Sequence, residues 1–431
     1  MHGQSPRMLR TAPQASPPRA AVLVTGSELI RGGRRDANGP FLAEELTRLG
    51  LEPARITIVG DDSAQLEQAI REALGVDLLV LSGGLGPTHD DRTVELLARA
   101  AGLELRVDEE LAGEVEAISR RIAERLGRPY AEFEEGVRKQ ATVPEGGRVI
   151  GIAGTAPGLV VETGAAVAVV LPGPPLELRR LWQAALKDEA VRAVSARARA
   201  PERRILRVYG LSESAVARAL AEAGGEPEGV QATICAHAGE IWVELFGPGE
   251  ALASELRGAL GGSVFAEDDR PVAEIVLDLA REQRLSLGTA ESCTGGLVAA
   301  GLTSVPGASD VFRGGVVAYE NEVKIARLGV PEDTLTAHGA VSAETATAMA
   351  RGAREALGAD IAVADTGIAG PGGGTPEKPV GLVYLHASAP GGELARELQL
   401  PGDREAVRVR ATAAALHLLR MLLAQSRHKA A

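Results

Sequence analysis

Lysine is scarce in this chain. Its 431 residues carry 46 Lys and Arg against 58 Asp and Glu. Only Lys139, Lys187, Lys324, Lys378 and Lys429 are lysines, and every other residue in the basic count is an arginine. Arginine keeps its proton in proteins, whereas lysine loses it when its pKa is lowered. Each lysine therefore raises the question of what arginine could not do there. Cysteine is nearly absent as well. Cys235 and Cys293 are the two, too few for a disulfide framework and suited to a reducing cytoplasm. The seven histidines are scattered, and no CxxC or HExxH spacing occurs, which argues against a zinc site. Aromatics make up 3%, so the cores must be built from Ala, Val, Leu and Ile. The net charge of -12 leaves no basic stripe for general nucleic-acid binding. A local basic pocket for a small anion stays open. No apolar run reaches membrane-spanning length without a charge or a Pro/Gly break. The expectation is a soluble cytoplasmic protein that binds no membrane.

What is present is apolar alternation. Apolar residues are 45%, and many of the 52 glycines fall in short loops after apolar runs. Residues 1–17 have no apolar core and read as a disordered tail rather than a signal peptide. The run Ala20–Thr25 predicts a strand, Pro40–Leu49 a helix, Ala54–Val59 a strand and Ser63–Leu74 a helix capped by Ser63. Val76–Leu81 predicts a third strand, with a helix resuming at Asp91. Ala165–Leu171 closes this unit before Pro172-Gly173-Pro174-Pro175. Arg204–Tyr209, Ser212–Ala223, Gln231–Cys235 and Glu240–Phe246 read as a small α+β module. From Val272 onward α/β grammar returns. The predicted strands here are Ser286–Ala290, Gly315–Tyr319, Asp360–Asp365 and Gly381–Ala387. The predicted helices are Val272–Glu282, Cys293–Leu302, Ser342–Ala356 and Arg404–Gln425. The fold class expected is α/β, two three-layer α/β domains joined by a small α+β module. The boundaries read as tail 1–17, first domain 18–172, middle module 173–267 and last domain 268–431.

Three features converge in the last domain. Ala290-Glu291-Ser292-Cys293-Thr294-Gly295-Gly296 lies where a strand is expected to turn into a helix. A hydroxyl at a helix N-terminus meets unpaired N–H groups, which can activate a nucleophile or hold an anion. Tyr319-Glu320-Asn321-Glu322-Val323-Lys324 follows another strand. No histidine lies near in sequence, so Lys324, neutral if buried, is the available base for Ser292. Tyr319 could relay a proton or donate to an oxyanion. Asp365 to Gly374 is a glycine-rich loop whose N–H groups could close on a phosphate. Ordinary readings stand beside these. Ser292 also fits a helix cap, Lys324 a solvated surface residue, Tyr319 a core residue and the glycine loop a tight turn. Cys293 is either a buried small residue or the rival nucleophile.

With these motifs placed, residues 270–425 resemble the CinA C-terminal family, the nicotinamide mononucleotide (NMN) deamidases. TAESCTGG, VVAYENEVKIARLGV, HGAVS and DTGIAGPGGGTPEKPVGLVY carry the match. VTGSELIRG, SGGLGPTHDDRT, VRKQATVPEG, GTAPGLVVE and LPGPPLEL resemble the molybdopterin-binding-like half of full-length CinA, reported to hydrolyse ADP-ribose in some members. The resemblance implies that NMN is hydrolysed to nicotinate mononucleotide and ammonia. Ser292 would attack the carboxamide, with Lys324 as base and Tyr319 assisting. N–H groups around Thr294–Gly296 would hold the oxyanion. Glu291, Thr294, Gly295, Gly296, Asn321, Thr366, Gly367, Gly370, Gly372 and Gly373 would line the substrate site. Arg404 and Arg408 are either phosphate ligands or a solvated helix face. No cofactor is needed for this step.

At the N-terminal site the expected residues are Glu28, Asn38, Gly83, Gly84, Gly86, Thr88, Asp90, Asp91 and Lys139. Glu28, Asp90 and Asp91 would hold a divalent metal ion and a pyrophosphate such as ADP-ribose. One stretch departs from the family, since Gly33-Arg34-Arg35-Asp36-Ala37-Asn38 carries charges where apolar residues are usual. The partners expected are small nucleotides and a second copy of the chain, with no strong nucleic-acid binding. The alternatives are a chain that is mainly a metal-dependent ADP-ribose pyrophosphatase with an inactive C-terminal domain, or a non-catalytic competence or DNA-damage partner.

Overall fold

The computed structural model describes residues 18–199 and 202–430. The expected disordered tail lies outside the described residues. The chain divides into two compact units, one ending at residue 201 and the other beginning at Glu202.

The first unit is built on a mixed sheet. Its strands are β1 (Arg19–Thr25), β2 (Glu52–Val59), β3 (Leu78–Ser82), β6 (Arg148–Ala153), β7 (Ala156–Glu162) and β8 (Val167–Leu171), while β4 (Leu105–Val107) and β5 (Thr142–Pro144) form a separate small pair. The order is β2-β1-β3-β8-β7-β6, with β1, β2, β3 and β8 parallel and β7 and β6 antiparallel. The helices are α1 (Ser27–Ile30), α2 (Asn38–Arg48), α3 (Ser63–Ala73), α4 (Thr93–Ala101), α5 (Glu109–Leu126), α6 (Glu134–Gln140), α7 (Pro175–Ala185) and α8 (Glu189–Ser195). Strand residues alternate between two cores, as period-two side chains must. Ala21, Leu23, Leu79 and Leu81 pack with Leu66, Ile70, Leu96 and Val115 on one face. Ala20, Val22, Val24, Leu78 and Val80 pack with Leu42, Leu46, Leu178 and Trp182 on the other. This is the expected three-layer arrangement. The cap of α3 is Asp62 rather than Ser63, its carboxylate accepting from the Gln65 N–H at 2.9 Å.

The expected boundary at residue 172 falls too early. Pro172 to Pro175 reads as a chain break, but Pro175 occupies the first turn of α7, where its missing N–H costs nothing. Trp182 on that helix is fully buried against the sheet. The first unit therefore keeps α7 and α8.

The second unit holds two sheets. The smaller has β9 (Arg203–Tyr209), β10 (Gln231–His237), β11 (Glu240–Phe246) and β12 (Val264–Ala266) in the order β10-β11-β9-β12, with α9 (Glu213–Glu222) and α10 (Glu250–Leu260). The larger has β13 (Leu287–Glu291), β14 (Phe312–Val317), β15 (Ile361–Gly367), β16 (Leu382–Ala389) and β17 (Gly392–Gln399), ordered β14-β13-β15-β16-β17. Around it run α11 (Val272–Gln283), α12 (Leu297–Thr303), α13 (Asn321–Leu328), α14 (Glu332–His338), α15 (Ala343–Leu357) and α16 (Arg404–Ala430). The two sheets meet through a buried polar knot. Glu240 of β11 accepts from His417 Nε2 of α16 at 2.9 Å and is paired with Arg207. Tyr209 stacks on the His417 ring at 3.7 Å. Removing either partner of such a buried pair strands a charge, so the small module is held to the larger domain.

One close approach fixes α13. A Cβ on Gly352 of α15 would lie 1.8 Å from the Leu328 carbonyl oxygen, so the two helices touch backbone to backbone. Gly352→Ala should push α13 off its seat and lower the melting temperature by several degrees. A thermal melt equal to wild type would show that the contact does not set the helix position.

Candidate active site

Strand order brings the three separated motifs to one edge. Strands β14, β13 and β15 are adjacent and parallel, and Glu291 stands opposite Val317 on one side and Asp365 on the other. Ser292, Ala318 and Thr366 therefore leave the sheet side by side. They do so at the strands' carboxyl ends, where open α/β sheets place their sites.

The turn after β13 differs from expectation. Helix α12 begins at Leu297, not Cys293, because Gly295 and Gly296 take positive φ values of 62° and 99°. Ser292 is thus not a helix cap and does not sit at the positive end of the helix. Glu291 occupies that place with its side chain. One carboxylate oxygen accepts from Gly296 N–H at 2.8 Å and Val298 N–H at 3.0 Å, the other from Ala299 N–H at 2.8 Å. Thr289 and Thr294 hydroxyls add contacts at 3.2 and 2.7 Å. Asp365 takes the other amides of the turn. Its Oδ1 accepts from Thr294 N–H at 2.9 Å, and its main-chain carbonyl accepts from Ser292 N–H at 3.2 Å.

Two expectations change as a result. Glu291 and Thr294 are buried and fully committed, so they position the turn rather than touch a substrate. Thr294 and Gly296 N–H groups are spent internally, which leaves Gly295 N–H as the amide of the Thr294–Gly296 stretch without such a partner. Asp365 was not among the residues singled out from sequence, although it opens the DTG motif at a strand end.

Lys324 sits on α13 and is 1% exposed. Its Nζ donates to the Ala318 carbonyl at 2.8 Å and the Tyr319 carbonyl at 3.0 Å. Ala318 N–H donates to the Glu291 carbonyl at 2.8 Å, tying this segment to the strand end before Ser292. Burial pushes the amine below its ordinary range, opposed by the Glu320 and Asp365 carboxylates. A neutral amine has two N–H bonds, and two carbonyls are there to take them. Its lone pair is then left over.

The rim is cationic. Arg404 donates to the Gly370 carbonyl at 2.9 Å and to the Tyr319 phenol oxygen at 3.1 Å. Arg408 donates to the Thr294 carbonyl at 2.7 Å. Tyr319 is 59% exposed, so its ring stands at the mouth and its carbonyl, not its phenol, holds Lys324. Asn321 is exposed at the start of α13. Burial, together with Asp365, pushes the Cys293 thiol up to about 12. A thiol held that way is a poor nucleophile.

The glycine loop is mostly a packing device. A Cβ on Gly367 would approach the Leu382 carbonyl oxygen at 2.7 Å, and one on Gly370 would meet Val380 at 2.6 Å. Thr366 is buried and donates to the Ala340 carbonyl at 2.7 Å. Gly372 and Gly373 remain exposed beside open space.

In the first unit the loops after β1, β3 and β8 enclose a cavity of about 410 Å³, lined by Glu28, Asp61, Gly83, Gly84, Gly86, Asp90, Asp91 and Glu177. Asn38 spans two of these loops, donating to Ser82 Oγ at 2.9 Å and the Gly173 carbonyl at 2.8 Å. It braces the crevice and does not line this cavity. Lys139 donates to the Thr88 carbonyl. Asp91 accepts from Thr88 N–H at 3.0 Å, and the Thr88 hydroxyl lies 2.5 Å from both Asp90 and Asp91. Among the described residues no three His, Cys, Asp or Glu side chains come together as a cation site. Glu28, Asp90 and Asp91 line the same cavity without forming a three-ligand cage, an arrangement in which a divalent ion would be held only together with a ligand's phosphates. Asp61 and Glu177 were missed from sequence. Asp61 accepts from Ser27 N–H at 2.9 Å, and burial raises the Glu177 carboxyl. Among the described residues no helix is long and apolar enough to cross a membrane.

Comparison with known proteins agrees with both halves. Residues 269–423 match the model of the CinA C-terminal domain, and residues 21–191 that of the probable molybdopterin binding domain. A CinA-like protein of Mycolicibacterium paratuberculosis is 44% identical over 429 residues, covering 94% of this chain and 98% of the relative. A CinA-like protein of Mycobacterium tuberculosis is 45% identical over 424 residues, covering 94% and 97%. The crystal structure of the competence/damage inducible protein CihA from Agrobacterium tumefaciens is 45% identical, covers 35% of this chain and 93% of that one, and has a TM-score of 0.34. The protein CinA with unknown function from Thermoplasma acidophilum is 34% identical, covers 41% and 99%, and has a TM-score of 0.36. With near-full-length identity of this order and both domain models matched in sequence, the chain belongs to the CinA family.

Proposed function

We propose that the second unit is an amidase that hydrolyses the carboxamide of NMN, giving nicotinate mononucleotide and ammonia. The observation that carries this reading is the buried Lys324 amine, held by two carbonyls at the sheet edge from which Ser292 emerges. Lys324 takes the Ser292 hydroxyl proton as Oγ attacks the carboxamide carbon. The tetrahedral oxyanion meets Gly295 N–H. Lys324 then returns the proton to the amide nitrogen, the C–N bond breaks and ammonia leaves. Water, deprotonated by the same amine, hydrolyses the acyl-enzyme and frees Ser292. Arg404 and Arg408 supply the positive rim that a nucleotide phosphate requires. Tyr319 serves as a rim residue that holds Arg404. Burial, which pushes the Cys293 thiol up to about 12, favours Ser292 over Cys293 as the nucleophile. The small partners are nucleotides. In the first unit, Glu28, Asp90 and Asp91 around the acidic cavity are the side chains that would act on a pyrophosphate such as ADP-ribose.

Ser292→Ala should abolish ammonia release from NMN, whereas Cys293→Ala should retain it. The reverse pattern would move the nucleophile to cysteine. Lys324→Arg keeps the charge but removes the base, and should slow turnover by about 10²–10⁴-fold, the usual contribution of a general base. Wild-type turnover in that variant would sink the lysine's role.

The pH dependence has a definite sign. The base form of Lys324 grows as pH rises through its depressed pKa, so the acidic limb of kcat/KM rises with pH. Glu320 favours the protonated amine. Glu320→Gln should therefore shift the acidic limb to lower pH. A shift to higher pH would contradict the assignment.

A further inference from the structure

The Thr294 hydroxyl lies 2.7 Å from Glu291 Oε2 and 2.5 Å from Asp365 Oδ2, and all three side chains are buried. A hydroxyl has one hydrogen and can donate to one of the two carboxyl groups. The other contact is a hydrogen bond only if that carboxyl brings a proton of its own. Without one, two oxygen lone pairs face each other at 2.5 or 2.7 Å in the interior.

The surroundings decide which group carries it. Glu291 receives three backbone N–H groups and the Thr289 hydroxyl, an environment made only of donors. A protonated Glu291 would have no acceptor to donate to except Thr294, and would waste the donors around it. Asp365 receives only two backbone N–H groups, from Thr294 and Cys293, fewer donors than surround Glu291, and its Oδ2 lies against the Thr294 hydroxyl. We propose that the Glu291–Thr294–Asp365 bridge carries one proton and one negative charge, with Asp365 neutral and donating to Thr294, and Thr294 donating to an ionised Glu291. Asp365 is then a positioning residue. It locks the Ser292 turn without presenting a second negative charge to the site.

The charged and titratable groups facing Asp365 are Glu291, Cys293 and Lys324. Burial pushes the Asp365 carboxyl up to about 6, with the Glu291 charge acting in the same direction and the Thr294 donors against it. Neutrality has a consequence for the base, which rests on the amidase reading. An ionised Asp365 would hold the Lys324 proton in place, and a neutral one does not.

Two isosteric variants separate the groups. Asp365→Asn reproduces the neutral form, since its amide can donate to Thr294 and its oxygen can accept Thr294 N–H. Glu291→Gln instead aims an NH₂ at backbone donors. Asp365→Asn should keep its melting temperature near wild type, whereas Glu291→Gln should lose several degrees. Equal damage in both would overturn the proposal. Stability gives a second reading. The proton on Asp365 contributes stability that is complete below the ordinary 3.8 and is lost as pH rises through about 6. Asp365→Asn should lack this loss, so its melting temperature relative to wild type should climb across that range. A difference that falls instead would contradict the assignment.

The infrared carbonyl band of a protonated carboxyl should appear at a pH of about 5.5, above the range where ordinary carboxyls hold protons, and vanish in Asp365→Asn. Its absence in wild type would overturn the proposal. These arms do not depend on NMN being the substrate. In the amidase assay below a pH of about 6, where Asp365 keeps its proton, Asp365→Asn should leave the pH dependence of kcat/KM unmoved, whereas removing an ionised neighbour would shift it to lower pH. Such a shift would place the charge on Asp365 even if Ser292→Ala had confirmed the reaction.

Discussion

The candidate site depends on the way one carboxylate satisfies the start of a helix. The first N–H groups of any helix lack partners within it, and burying them unpaired costs about as much as losing the corresponding hydrogen bonds. Here Glu291, the last residue of β13, reaches forward and takes three amides of the turn and first helical residues. That single side chain lets the strand end, a two-glycine turn and α12 sit at the sheet edge with most of the turn's amides paired, Gly295 N–H being left open. Ser292 follows Glu291 directly, so its place is set by the same contact. Ser292, the nucleophile proposed above, is thus held by a strand on one side and by a capped helix on the other. Such a rigid setting suits a group that must meet a carbonyl carbon at bonding distance.

Lys324 shows the opposite economy. An amine 1% exposed is unfavourable for folding in its charged form, and its burial is maintained by close helix packing. Gly352 makes that packing possible, because any side chain there would strike the Leu328 carbonyl at the end of α13. A residue in contact with no ligand therefore sets where the amine points. Burying the Lys324 amine gives up stability, and the packing around α13 keeps it buried.

Much of this was legible in the sequence because apolar runs and turn residues agreed. The strands Ala20–Thr25, Ala54–Val59, Glu240–Phe246 and Asp360–Asp365 were placed within a few residues, since runs rich in β-branched and aliphatic residues mark both a buried central strand such as β1 and a largely exposed edge strand such as β2. The three-layer class followed from that alternation. Three features were not legible. β17 reads GELARELQ, an edge strand of mostly polar, exposed residues in which only Leu394 and Leu398 face the core, too few to stand out as a strand in sequence. The start of α12 was put four residues early, because glycine in a turn and glycine in a first helical turn look alike until φ is known. The boundary at residue 172 failed because proline marks a helix start as often as a chain break, and only the burial of Trp182 distinguishes the two. At the site, residue types and motifs were read correctly as a group, but their division of labour was not. Glu291 and Thr294 look like polar site residues in sequence, and only their bonding partners show that they are spent on the backbone.

The lysines give the sharpest version of the same point. Lys139 donates to the Thr88 carbonyl, and Lys378 donates to the His338 carbonyl at 2.8 Å and the Val341 carbonyl at 2.6 Å. Both tie loops together, and both stay in contact with solvent. Lys324 also binds two carbonyls, so its partners alone do not distinguish it. What differs is the removal of water. The same donor set that makes an exposed ammonium a strap makes a buried one a poised base, because desolvation favours loss of the proton that two carbonyls cannot all retain. Arginine could replace the straps in charge and in donor capacity. It could not replace Lys324, because no amount of burial in a folded protein yields a guanidine free to accept the serine proton.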